Sequence, residues 1–187
     1  MTPDERFPRV VSLACHDLRT PLATVYGFAR TLVRAGELDD RTLRFVGMIE
    51  EAAEQMTVLL DELGTAARIQ ADRWEPGLRE ADTLDLARSG DDRIDAEGEG
   101  ATVTTEATVV AHALESLGVA ASRFGPVDRV AWEVRGRVLE LSPITADAAP
   151  VVIGDELRDL GSIVARYAIE RLGGSLELAG GSLRVTL

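Results

Sequence analysis

Seven apolar residues near the start of the chain, Val11, Ala14, Leu18, Leu22, Val25, Ala29 and Leu32, follow one another by steps of three and four. That spacing keeps them on one face of a long α-helix. A second stripe follows in Leu43, Val46, Ile49, Ala53, Met56, Leu59 or Leu60, Leu63, Ala66 and Ile69. Only Arg34-Ala35-Gly36-Glu37-Leu38-Asp39-Asp40 separates the two. Gly36 suits a helix C-terminus, and Asp39 or Asp40 suits the next N-cap. Two long helices joined by so short a turn lie antiparallel. A lone hairpin cannot enclose its own apolar stripes, and a second copy about a two-fold axis completes the core as a four-helix bundle. A homodimer is therefore expected.

After residue 73 the texture changes. Trp74-Glu75-Pro76-Gly77 reads as a connector, which divides the chain into a hairpin over 1–73 and a second domain over 74–187. In the second domain, 89–100 is polar and turn-rich, 101–105 is β-prone and 108–123 reads as a helix. Residues 130–134 and 138–141 form a hairpin about Arg135-Gly136-Arg137, 155–172 reads as an amphipathic helix ending at Gly173-Gly174, and 175–178 and 183–187 read as strands. The expected fold class is α+β: a helical hairpin in a dimeric four-helix bundle, then a small α/β sandwich.

Composition narrows the chemistry. The chain has 187 residues, 45% of them hydrophobic, enough to bury a real core, and carries a formal charge of −12. All 20 basic residues are arginine; there is neither lysine nor asparagine. Schiff-base and P-loop lysines are thereby excluded, as is an asparagine ligand for magnesium. The excess of 32 acidic residues argues against a nucleic-acid binder. One cysteine, Cys15, and two histidines leave no disulfide framework and no expected metal site. Without an apolar run at the N-terminus or an 18-residue apolar stretch, no membrane segment is expected, and a cytoplasmic location is the default.

Chemistry concentrates in Cys15-His16-Asp17-Leu18-Arg19-Thr20-Pro21-Leu22. His16 falls off the apolar stripe, toward the surface. A neighbouring carboxylate can hold one ring nitrogen protonated and leave the other's lone pair outward, as a nucleophile needs. Thr20 lies one turn on, on the same face, where its hydroxyl can position a water or a phosphoryl oxygen. Pro21 removes a backbone donor, so a bend just beyond the histidine is expected. Arg19, beside His16, is a candidate for meeting a phosphoryl group or an acidic partner, with Leu22 as a second partner-contact residue. Cys15 reads as a small buried thiol, His112 as structural, Trp74 and Trp132 as packing anchors, and the acidic run from Asp91 to Glu99 as a solvated loop.

The run His16-Asp17-Leu18-Arg19-Thr20-Pro21-Leu22 resembles the H-box of the dimerisation and histidine-phosphotransfer domain of sensor histidine kinases, over roughly residues 8–72. The resemblance implies that His16 takes up phosphate, Asp17 assists it and Thr20 serves phosphatase activity. It implies a dimeric bundle whose partners are response-regulator receiver domains. Residues 160–176 resemble the helix and strand after the second glycine box of the family's ATP-binding (GHKL) domain. The ATP site itself departs from the pattern. Ser116 and Ala120 stand where asparagines belong, and Ala120 has no oxygen for magnesium. Ser142-Pro143-Ile144-Thr145-Ala146 replaces the first glycine box, Asp159 and Gly161 replace a glycine pair, and 146–156 is short for an ATP lid. The expected function is therefore that of a histidine phosphotransferase with a degenerate kinase domain. It needs no cofactor of its own, and Mg²⁺ comes with the receiver. The alternatives are an active sensor kinase with a divergent ATP site, or a non-catalytic pseudokinase scaffold.

Overall fold

The computed structural model describes residues 3–36 and 38–187, so Met1, Thr2 and Glu37 lie outside it. The chain divides into two compact units, Met1–Arg73 and Trp74–Leu187.

Unit 1 is a helical hairpin. Helix α1 (Pro3–Ala35) runs through Pro8 and Pro21 as one span, and Gly36 beyond it turns the chain at φ +68°. Helix α2 (Asp40–Gln70) begins at an Asp39 N-cap, whose carboxylate accepts from the backbone N–H of Arg41 and Thr42 and from the Thr42 hydroxyl. These bonds, the Thr42 hydroxyl first, hold the Asp39 carboxyl below the usual carboxylate range.

Each stripe splits into two seams. Cys15, Leu22 and Ala29, spaced by seven, are buried inside the hairpin, while Leu18, Val25 and Leu32, also spaced by seven, stand exposed. On α2, Ala53, Ala66 and Ala67 are buried, while Phe45, Ile49, Met56, Leu59 and Leu63 are exposed. The single-face stripe read from the sequence is thus corrected: each helix is wide enough in its apolar surface to pack on two neighbours, and this chain supplies one.

Unit 2 is an α/β sandwich. A two-stranded antiparallel sheet pairs β1 (Arg79–Asp82) with β3 (Thr102–Thr105), and α3 (Thr83–Ala87) follows β1, capped by Asp82. The main sheet has five strands in the order β2-β4-β5-β7-β6. These are β2 (Ile94–Gly100), β4 (Val130–Gly136), β5 (Val138–Ser142), β6 (Ser175–Ala179) and β7 (Ser182–Thr186). Alternation puts Val130, Trp132 and Val134, Leu139 and Leu141, Leu183 and Val185 on one face. They pack with α4 (Ala107–Phe124), through Val110, Leu114 and Leu117, and with α6 (Leu160–Arg171), through Ala165 and Ile169. A short α5 (Ala149–Val152) precedes α6.

Two sequence expectations are corrected here. The 89–100 segment is not a loop: its second half is edge strand β2, parallel to β4. Its alternation hides because only Ile94 is fully buried and two positions are glycine. The 155–172 helix begins only at Leu160, since Asp159 is its N-cap.

Gly98 shows why β2 tolerates so little side chain. Its φ is +120°, and a Cβ there would stand 2.1 Å from the Val134 carbonyl oxygen. Gly98→Ala is expected to lower stability by about 3 kcal/mol or more, measured by denaturant unfolding. An unchanged midpoint would show that β2 can leave β4 at no cost.

The turn into β2 is tied by Asp91. Its carboxylate accepts from the Arg93 backbone N–H, Nε and Nη2 at 3.0, 2.9 and 2.6 Å. Ser89 Oγ accepts from the Asp91 N–H and donates to Glu115 on α4 at 2.7 Å. The Arg93 guanidinium lowers the Asp91 carboxyl from 3.8 to about 2. A group depressed on folding stabilises fully above its unfolded value and loses that contribution as pH falls through the folded one. Melting temperature should therefore drop between pH 3.8 and about 2. Asp91→Asn should be less stable at neutral pH and flatter across that interval.

Candidate functional site

α1 carries His16 at its surface, where the interior seam faces away. The His16 and Asp17 side chains are 77% and 68% exposed, and Nδ1 lies 3.2 Å from Asp17 Oδ1. An ionised carboxylate only accepts, so this contact is a hydrogen bond when Nδ1 carries the proton. That tautomer leaves Nε2 as a lone pair open to solvent. Pro21 has no N–H to give the Asp17 carbonyl four residues back, which loosens the helix ladder at this turn. The helical span nevertheless continues unbroken to Ala35.

Arg19, Thr20, Ala23 and Thr24 line one open surface depression with His16. Thr20, one turn from the imidazole, is exposed, and its carbonyl accepts from Thr24 Oγ1 at 3.2 Å. Arg19 is engaged: its Nη2 donates to Asp61 Oδ1 of α2 at 2.5 Å, both side chains about half exposed. This holds the guanidinium toward α2 while Arg19 lines the same depression as His16. Asp61 escaped the sequence reading, although folding the chain about the turn near Asp39 brings residues 19 and 61 opposite one another. Leu22 is 9% exposed and belongs to the hairpin interior. Its placement among partner contacts is corrected, because its side chain faces away from the surface that bears His16. Cys15 is buried at 3%, its Cβ 3.8 Å from where a Gly64 Cβ would stand, so the helices approach closely at this level.

In unit 2, Ser116 is half-buried and Ala120 is fully buried in the core of α4. Asp159 is 14% exposed; its Oδ1 accepts from the Ser162 N–H and hydroxyl at 2.9 and 3.1 Å, and its Oδ2 lies 4.0 Å from Arg123. The N-terminus of α6 therefore holds its own carboxylate, where a helix otherwise offers donors to an external anion. An open groove nearby is lined by Phe124, Asp147, Glu156 and Arg158, with the Arg158 guanidinium 5.1 Å from the Phe124 ring centroid. His112 is exposed on α4 rather than built into the core. Trp74 and Trp132 are both buried. Among the described residues no cluster of His, Cys, Asp and Glu is arranged to hold a metal ion, and no helix is long and apolar enough to cross a membrane.

Residues 9–72 match the His Kinase A (phospho-acceptor) domain family. No curated protein matches the chain. Among solved structures, full-length ShkA in complex with AMPPNP is similar at 19% identity and a TM-score of 0.65. The match takes in 95% of this chain and 44% of that one, so this chain spans less than half of ShkA's length. The histidine kinase AdeS of Acinetobacter baumannii is similar at 17% identity and a TM-score of 0.53, over 91% of this chain and 95% of that one. At such identities the likeness concerns fold, and it extends through both units. Residues 9–72 thus match a phospho-acceptor domain, and through both units the chain shares the fold of the histidine kinases ShkA and AdeS.

Proposed function

We propose that the protein is a cytoplasmic histidine phosphotransferase of a two-component phosphorelay, working as a homodimer and without ATP. One observation carries the reading: within a phospho-acceptor domain, His16 is solvent-exposed with Asp17 at Nδ1, which leaves Nε2 as the nucleophile. A receiver phosphorylated on aspartate docks over the depression around His16. Nε2 attacks phosphorus, the bond from phosphorus to the aspartyl oxygen breaks, and the receiver regains its carboxylate. Asp17 holds the Nδ1 proton and offsets the positive charge that develops on the ring. A second receiver aspartate takes the group by the reverse of this step. Catalysis of this kind is chiefly alignment, because Mg²⁺ arrives with the receiver. Thr20 positions a water when phosphate is instead lost by hydrolysis.

Three features support transfer without ATP. The buried Ala120 methyl offers magnesium no oxygen, Asp159 occupies the Ser162 N–H at the start of α6, and the groove beyond presents the carboxylates of Asp147 and Glu156 beside the Arg158 guanidinium. An anionic triphosphate would meet like charge at each of the latter two.

Incubation with a phosphorylated receiver tests the proposal. Label should appear on this protein from the receiver and not from Mg-ATP. Label from ATP alone would instead identify an active kinase with a divergent nucleotide site. The retained fold of unit 2 favours that second reading, and nucleotide binding measured by calorimetry decides it. Label from neither source leaves a scaffold that recruits its partners without taking up phosphate.

A further inference from the structure

Phosphate on Nε2 of His16 brings a charge that the exposed histidine does not answer by itself. The new dianion stands near the Asp17 carboxylate, in a protein whose formal charge is already −12. Of the residues lining the depression, His16, Arg19, Thr20, Ala23 and Thr24, only Arg19 bears a permanent positive charge. It follows His16 by three positions on α1, so the two side chains spring from neighbouring points of one helix face. In the structure its guanidinium is drawn toward α2 instead, where Nη2 donates to Asp61 Oδ1 at 2.5 Å.

That ion pair is weak enough to exchange. Both partners are about half exposed, and a solvated pair of this kind adds little to stability. A phosphoryl dianion offers three strong acceptor oxygens and up to twice the charge of a carboxylate. It also takes two parallel N–H bonds from a guanidinium. Asp61 is not among the residues lining the depression, so its influence on a phosphoryl group there runs through Arg19.

We infer that Asp61 is a positioning residue for the phosphoryl group on His16: it holds Arg19 off the imidazole at rest and yields it to the phosphoryl oxygens once phosphate is on Nε2. The inference rests on the proposed phosphotransfer and extends it to a residue of α2. At rest the arrangement keeps a cation away from Nε2, whose lone pair must stay available for attack. After transfer the same guanidinium offsets the new charge, by rotation about the side-chain torsions of Arg19.

Potassium phosphoramidate phosphorylates imidazoles directly, so the test needs no receiver. It uses the full chain carrying His112→Gln, which leaves His16 as the sole imidazole in a protein without lysine. Phosphorus NMR then follows the second ionisation of the phosphoryl group as pH is varied. Arg19→Gln should raise that pKa by about one, the low end of what an adjacent cation does to an acid. Arg19→Lys, which keeps the charge, should recover part of the difference. Asp61→Asn should lower the pKa, because the guanidinium then has no competing acceptor, and this effect should vanish when Arg19→Gln is also present. Circular dichroism verifies that the variants keep their helices. The same pKa with and without Arg19 overturns the inference. So does an Asp61→Asn effect of equal size in the absence of Arg19, or a rise on Asp61→Asn, which would mean that Asp61 holds Arg19 over the phosphate. A receiver that delivers no label refutes the phosphorelay alone, whereas no phosphoramidate label on His16 overturns the present inference.

Discussion

Replacing His16 with glutamine should abolish phosphoryl uptake from a phosphorylated receiver, and replacing Asp17 with alanine should slow it about a hundredfold. Glutamine keeps length and polarity but has no basic nitrogen, so no bond to phosphorus can form. The effect is complete because the other residues lining the depression, Arg19, Thr20, Ala23 and Thr24, offer no imidazole. Loss of Asp17 is milder. The imidazole keeps its nucleophilic nitrogen but loses the acceptor at 3.2 Å that selects the tautomer and offsets the developing charge. Because the pair is largely exposed, water partly replaces the carboxylate, and the loss stays at the low end of what a positioned acid or base contributes. Radiolabel transfer at fixed receiver concentration, with circular dichroism to verify the helices, measures both. Label that persists on the His16→Gln variant would place the acceptor elsewhere.

The second large effect concerns the outer seam. The protein is expected to be a dimer at micromolar concentration, and Val25→Asp combined with Leu59→Asp should make it a monomer by sedimentation. Phe7, Val10, Leu18, Val25, Phe28 and Leu32 on α1, with Phe45, Ile49, Met56 and Leu59 on α2, form exposed apolar rows in a hairpin whose interior is already filled. A monomer rarely leaves so much contiguous apolar surface in water. In a two-fold dimer each substitution acts twice, and each buried, unpaired carboxylate costs about 2 kcal/mol or more. The dissociation constant should rise at least about 10³-fold. A wild-type monomer at high concentration would leave the rows without a role in self-association.

These outcomes also separate what periodicity reveals from what packing decides. The hairpin was legible because residues three and four apart share a helix face, and because Gly36 and Asp39 carry stop and start signals that act over a few bonds. The split of each stripe into two seams was not. Cys15 and Leu18 are both apolar and three residues apart, and only the direction of the partner helix decides which one is buried. Leu22 fell on the wrong side for that reason. In unit 2 the central strands alternate cleanly, whereas β2 is acidic and glycine-rich, because an edge strand buries little and is held by main-chain pairing with β4. The late start of α6 has a local signal, an aspartate three residues before a serine, that competes with the apolar periodicity running past it.

For the site, the adjacency of His16 and Asp17 and the one-turn spacing to Thr20 are properties of any α-helix, so covalent connectivity is enough to assemble them. The pairing of Arg19 with Asp61 and the burial of Ala120 join residues far apart in the chain. Side-chain periodicity constrains neighbours within about two turns and says nothing of which residue arrives from the other helix. That is settled only when antiparallel packing sets the register and excludes water between the two faces.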